Sequence, residues 1–184
     1  PDPDTGLAGQ AVYPWRGRIR PAAANSVSSE VSAFLTEYRP FILHLANLAS
    51  QAGGVDAFLV GSEMVSMTMA KTASDTFPFV DGLVTLAADV SAIIPSAQIS
   101  YAADWSEFHS YRVGSDIFFH LDPFWSSPNV DFVGIDNYLP LSDWRPGTDH
   151  RDYDPAQGHT TPYSLDYLKG QIEGGEYWDY FYAS

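Results

Sequence analysis

Three short apolar runs in this chain end alike, and their ends carry the residues able to do chemistry. Val55–Gly61 runs into Ser62-Glu63, Ile99–Ala103 into Asp104, and Phe132–Ile135 into Asp136-Asn137-Tyr138. Parallel α/β folds gather their reactive groups at the carboxyl ends of strands. Acids beside Trp and Tyr in such a mouth suit sugars, because carboxylates accept from hydroxyls and aromatic faces cover sugar rings. Glycoside cleavage asks for two carboxyl groups roughly 5–9.5 Å apart, one giving a proton to the leaving oxygen and one attacking or activating water.

Glu63 is the candidate acid/base, with a turn-capping or arginine-paired glutamate as the structural alternative. Asp104 is placed to tune Glu63 or to bind a sugar hydroxyl, Trp105 to stack on a ring, and Glu107 to contact substrate. A loop salt bridge beside a buried Trp is the competing reading of that group. Asp136 and Tyr138 are read as pocket residues and Asn137 as a turn former. Trp15, with Arg16 and Arg18, is read as lining the mouth, or else as part of a structural Arg–carboxylate pair. His120, Asp122 and Trp125 are too few for a metal site, so a packed histidine satisfied by backbone groups is expected there. Asp149, His150, Asp152, Asp154 and His159 are read as chance clustering in an acidic protein. No metal and no cofactor is called for, and neither a glycine-rich phosphate loop nor a Gly-x-Ser-x-Gly elbow occurs.

The bulk properties narrow the partners. The chain has 184 residues, 45% of them hydrophobic, and a formal net charge of −14. One domain over residues 1–184 is the simplest expectation. Nine basic against 23 acidic side chains argue against nucleic acid or an anionic membrane as a partner. No cysteine is present, so thiolate chemistry and disulfides are excluded. No apolar run is long enough to span a membrane.

The elements that must position the acids follow from periodicity. Residues 11–19 read as an edge strand because of Pro14. Val31, Phe34, Leu35 and Tyr38 keep helical spacing, and Pro40 predicts a break with a fresh helix after it. Phe41, Ile42, Leu45, Leu48, Ala49 and Ala52 form the buried stripe expected of that second helix. Residues 64–78 read as a loop with one helical turn, and Phe79 to Ile93 as an amphipathic helix. Residues 105–129 are an aromatic excursion and 139–161 a polar loop. Tyr163–Ile172 reads as a last helix. Strands are expected at 55–61, 98–103 and 131–136, adjacent and parallel, with Glu63, Asp104 and Tyr138 opening on one face. The class is therefore α/β, with parallel strands and right-handed helical crossovers. About four strands are too few for a whole (β/α)₈ barrel, so either a partial barrel, with exposed apolar edges, or a small open α/β sheet is expected.

The runs YPWRGRI (13–19), AGGVDAFLVGSEM (52–64), ISYAADWSEF (99–108), FHLDPFW (119–125), VDFVGIDNYLPLSDWR (130–145) and GGEYWDYFYAS (174–184) resemble the TIM-barrel-like domain of gene transfer agent and phage tail proteins. That family is similar to retaining glycoside hydrolases. The resemblance implies a partial glycoside hydrolase-like TIM barrel in a tail or baseplate hub protein of a phage-like particle, acting at the host cell envelope. It implies cleavage of an envelope polysaccharide such as peptidoglycan, or else a non-catalytic glycan-binding or structural tail module. Other tail proteins and a host glycan would be its partners, and the parent tail protein would set its oligomeric state. Gly-Ser-Glu stands where related barrels carry Asn-Glu, the acid/base. The second carboxylate is expected in a Thr-Glu-Leu-Gly-like motif on a later strand, outside these residues. The stretch from Arg20 to Glu30 is shorter than the family pattern.

Overall fold

The computed structural model describes residues 15–138, 142 and 144–174. Of the strand expected at 11–19, residues 11–14 lie outside the described residues, as does the run 175–184, and Arg16–Arg18 form a 3₁₀ turn rather than a strand. The chain divides into two compact units, Pro1–Asp136 and Asn137–Ser184.

The first unit begins with a 3₁₀ turn, Arg16–Arg18. Helix α1, Val27–Gln51, follows, then strand β1, Ala57–Ser62. A one-turn helix α2, Val65–Thr68, precedes helix α3, Pro78–Ile93. Strand β2 spans Gln98–Asp104. A small antiparallel hairpin, β3 (Tyr111–Val113) with β4 (Asp116–Phe118), and a short helix α4 (Asp122–Trp125) fill the aromatic excursion. Strand β5, Gly134–Asp136, closes the unit.

The three expected strands form one parallel sheet in the order β1-β2-β5. β2 is central and buried along most of its length, as a strand covered on both sides should be. Ile99, Tyr101 and Ala103 face the core made by α1 and α3. Ser100, Ala102 and Asp104 therefore face the other way. In register with them stand Leu59 and Ser62 on β1 and Gly134 and Asp136 on β5.

That second face is concave. Ser62 Oγ donates to Asp136 Oδ2 at 3.0 Å although β2 lies between their strands. Strands two places apart sit roughly 10 Å from one another in a flat sheet. Two short side chains bridge such a gap when the sheet curls toward them, and alternate strands meet in this way inside a barrel. The described strands nevertheless form an open three-stranded sheet, not a closed barrel. Its edge strands expose Leu59 and Ile135.

The expected break at Pro40 does not occur, because α1 runs through it without interruption. Phe34, Leu35 and Tyr38 before the proline, and Ile42 and Ala46 after it, pack into the same core. Phe34 stacks on Tyr38 at 5.2 Å and meets Phe79 of α3 edge-on at 5.8 Å. Arg39 pairs with Asp89 of α3 at 2.7 Å. Packing on both sides outweighs the local penalty, and Pro40 lies on the exposed side, where water can reach the carbonyl left without its amide. The continuous helix also turns the expected stripe. Phe41 (57% exposed), Leu45 and Leu48 point outward.

In the second unit, helix α5 spans Leu165–Gly174, starting two residues later than expected. Tyr163 is exposed. Trp144 anchors a small aromatic cluster, edge-on to His150 at 4.8 Å and to Tyr167 at 5.4 Å. Ser142 and Tyr167 share a hydroxyl hydrogen bond of 2.6 Å.

Replacing Pro40 by Ala restores a donor for the Thr36 carbonyl in a helix that is already continuous. The variant is expected to gain about 1–3 kcal/mol, read as a higher urea midpoint. An unchanged or lower midpoint would mean that α1 is adapted to the proline.

Candidate functional site

Two backbone irregularities sit at the carboxyl end of β1. Leu59 pairs with Ser100 but Ser62 pairs with Ala102, so Val60 and Gly61 together oppose Tyr101. This is a β-bulge, a device that re-aims the residues after it. Gly61 is required there, since a Cβ would lie 2.8 Å from the Tyr38 hydroxyl and 3.2 Å from the Tyr101 ring. Glu63 then takes a left-handed backbone conformation, φ +51°. A non-glycine residue there costs on the order of 1–3 kcal/mol and persists when its surroundings hold it.

Both amides that bracket this conformation are held by β2. Glu63 N–H donates to Ala102 O at 2.8 Å. Met64 N–H donates to the Tyr101 hydroxyl at 2.5 Å. Tyr101 in turn donates to Glu107 Oε1 at 2.9 Å, and the Asp104 amide reaches the same oxygen at 3.0 Å. Thr68 Oγ1 donates to Glu107 Oε2 at 2.5 Å.

Glu63 is only 7% exposed. Its Oε2 accepts from Trp15 Nε1 at 2.8 Å and from the Arg16 guanidinium at 3.5 Å. Trp15 reaches it because its ring lies flat over Gly17, where any Cβ would come within 2.5 Å of the indole. The Arg–carboxylate pair weighed from the sequence is thus present, and Trp15 belongs to it.

The other expected site residues are placed as follows. Asp104 ends β2 in register with Asp136 at the end of β5, both on the concave face. Asp104 Oδ1 closes a turn by accepting from Ser106 N at 2.8 Å. Asp136 accepts from Ser62. Trp105 is 38% exposed just past the end of β2. Tyr138 is exposed and belongs to the second unit. Glu107 lies beneath the mouth rather than in it. It is 0% exposed, and both oxygens are engaged as described above. A side chain so enclosed touches no sugar in this conformation.

Sequence reasoning missed Tyr101 and Thr68. One signal was available for Tyr101, since it occupies a core-facing position between Ile99 and Ala103 and a buried tyrosine hydroxyl needs a partner. The Ser62–Asp136 bond was not legible, because it depends on the curl of the sheet.

Burial governs the titration of the buried groups. It raises the Glu107 pKa, against the lowering pull of the hydrogen bonds from Thr68, the Asp104 amide and Tyr101. It also holds the Tyr101 phenol well above its ordinary value, helped by the Glu107 charge. Tyr38, whose hydroxyl donates to Val60 O at 2.9 Å, is pushed up to about 12, again by burial. His120 is buried between Phe77 and Tyr111, and burial lowers its pKa. A backbone hydrogen bond with Phe118 pulls the other way, and although the ring nitrogens fall outside strict hydrogen-bond geometry, the packed histidine has the backbone neighbour expected of it. Among the described residues, no group of three or more His, Cys, Asp or Glu side chains is arranged to hold a metal ion.

The family model of the GTA TIM-barrel-like domain matches residues 36–184. That match includes β1, β2, β5 and every expected site residue except Trp15. No curated protein matches the chain.

The raised pKa of Glu107 sets a pH dependence. A carboxyl group whose folded pKa lies above its unfolded one favours the folded state most below the ordinary glutamate value of 4.5. Stability then falls as pH rises from there through the folded pKa. Glu107→Gln keeps the shape and cannot ionise. As pH rises above the ordinary glutamate value, the variant's urea midpoint is expected to gain on that of the wild type. Parallel midpoint curves would show that Glu107 does not carry this dependence.

Proposed function

This chain belongs to the GTA TIM-barrel-like domain family, a module of gene transfer agent particles, and from that premise we propose that it handles a cell-envelope glycan at the carboxyl ends of β1, β2 and β5. The reading places the module in the tail or baseplate of the particle, among other tail proteins, acting on a host polysaccharide such as peptidoglycan. Glu63 is the acid/base of a retaining-type cleavage. It protonates the glycosidic oxygen as the bond to the anomeric carbon breaks, then takes a proton from the water that releases the sugar. The second carboxylate, the nucleophile, comes by resemblance from a later strand beyond these residues. Asp104, Asp136 and Trp105 are the proposed sugar contacts.

The observation that carries this reading is the treatment of Glu63. A bulge, a left-handed residue and two amide hydrogen bonds all act to aim one carboxylate at the end of one strand. Strain of that kind clusters at functional sites. Ser62, in the place of the usual asparagine, is tied to Asp136, so the sugar 2-hydroxyl would meet a serine–aspartate pair.

Glycan binding without cleavage has its own supporting observation. Two donors, Trp15 and Arg16, already occupy Glu63 Oε2. A carboxylate held so is a good fixed acceptor for a sugar hydroxyl.

Reducing-end release from purified peptidoglycan by the protein that carries this domain separates the two. If Glu63 is the acid/base, Glu63→Gln is expected to lower release by about 10²–10⁴-fold while glycan binding stays near the wild-type level. Equal release by both proteins would remove Glu63 from the mechanism. Binding without release by the wild type would support the non-catalytic reading.

A further inference from the structure

Glu107 is fully enclosed, yet its hydrogen bonds lead straight to the residue after Glu63. The route has two steps. Tyr101 has one hydroxyl proton and gives it to Glu107 Oε1. The phenol oxygen is thereby turned so that a lone pair faces the Met64 amide, which donates to it. Met64 N–H belongs to the peptide unit that leaves the left-handed residue. Glu63 N–H, on the other side, is held by Ala102 O. A left-handed residue clamped at both flanking amides has its Cα–Cβ direction fixed, and the carboxylate that it carries is met by Trp15 Nε1.

The rest of the shell around Glu107 fixes the carboxylate itself. Thr68 holds Oε2 from the one-turn helix that follows Glu63, and the Asp104 amide holds Oε1 from the end of β2. One buried side chain therefore ties together the exit of β1, the exit of β2 and α2.

We propose that Glu107 is a positioning residue for Glu63: acting through the Tyr101 hydroxyl, it holds the Met64 amide and so sets the direction of the Glu63 carboxylate. The part of this that concerns turnover rests on the cleavage reading above, while the part that concerns geometry does not.

The test uses the full protein and three variants. Tyr101→Phe removes the hydroxyl and leaves the ring. Glu107→Leu removes both acceptors. Glu107→Gln keeps an acceptor oxygen toward Tyr101 and Asp104, and presents its amide to Thr68, whose hydroxyl also lies 3.0 Å from Val65 O and can donate there instead. Two NMR signals report the geometry. They are exchange of the Met64 amide and the indole N–H of Trp15, assigned with Trp15→Phe.

Tyr101→Phe and Glu107→Leu are expected to speed Met64 exchange by about tenfold or more and to move the Trp15 indole signal, with core amides such as Val90 still protected. Glu107→Gln is expected to leave both signals near wild type. Should Glu107→Leu fail to fold, Tyr101→Phe decides. If Tyr101→Phe leaves the Met64 and Trp15 signals unchanged in a folded protein, the proposal is overturned. It is equally overturned if Glu107→Gln disturbs them as much as Glu107→Leu does. Where the wild type turns over glycan, Tyr101→Phe is expected to lower kcat by about 10²-fold with KM nearly constant. A wild type that releases nothing removes the cleavage reading, and the two NMR signals still decide the positioning claim.

Discussion

The left-handed backbone at Glu63 is the constraint on which the mouth of this sheet depends. An unsupported glutamate would relax out of that conformation and swing its carboxylate away from Trp15 and Arg16. It stays because β2 supplies a partner to the amide on each side, one from the Ala102 carbonyl and one from the Tyr101 hydroxyl. The bulge at Val60 and Gly61 delivers the chain to that point, and Gly61 fits only because it has no side chain between two tyrosines. Sequence, strand irregularity and hydrogen bonding here serve one end, the aim of a single side chain.

The frame behind it is a curled parallel sheet. α1 and α3 cover its convex side with a continuous apolar core. Its concave side carries the small residues Ser62, Ser100, Ala102 and Gly134 beside the exposed Leu59, below Asp104 and Asp136. Small residues let alternate strands approach, which is what the Ser62–Asp136 bond records. Buried polar groups in that region are paired. Ser100 donates to the Phe132 carbonyl at 2.5 Å, and Asp131 accepts from the Ile99 amide at 2.7 Å. The acids at the rim therefore stand on a floor whose own polar groups are satisfied.

Much of this was legible in the residues. The three strands, their parallel pairing and α3 follow from apolar runs and spacing. What the sequence hid was decided by tertiary contacts. Pro40 signals a break, but core residues on both sides of it hold α1 straight through. The β3–β4 hairpin lies in a stretch that reads only as aromatic, because three-residue strands carry too little alternation to register. At the site, strand ends gave Glu63, Asp104 and Asp136 by position. Glu107 reads as a substrate contact because it follows the same strand end as Asp104 and Trp105. Its burial follows from Thr68, Tyr101 and the Asp104 amide converging on it, which no spacing rule encodes. The bulge was equally hidden, since β1 is a near-continuous apolar run with no alternation for an extra residue to disturb.

The function proposed for these strand ends requires that a glycan meet the protein at Glu63. The most direct measurement is a titration of the isotope-labelled protein with a soluble peptidoglycan fragment, followed through backbone amides and the Trp indole signals. Saturable shifts centred on Glu63, Met64, Asp104 and Trp105 and on the Trp15 indole are the predicted result. Saturable shifts confined to residues away from these strand ends, or no saturable shift with any envelope glycan, would contradict it.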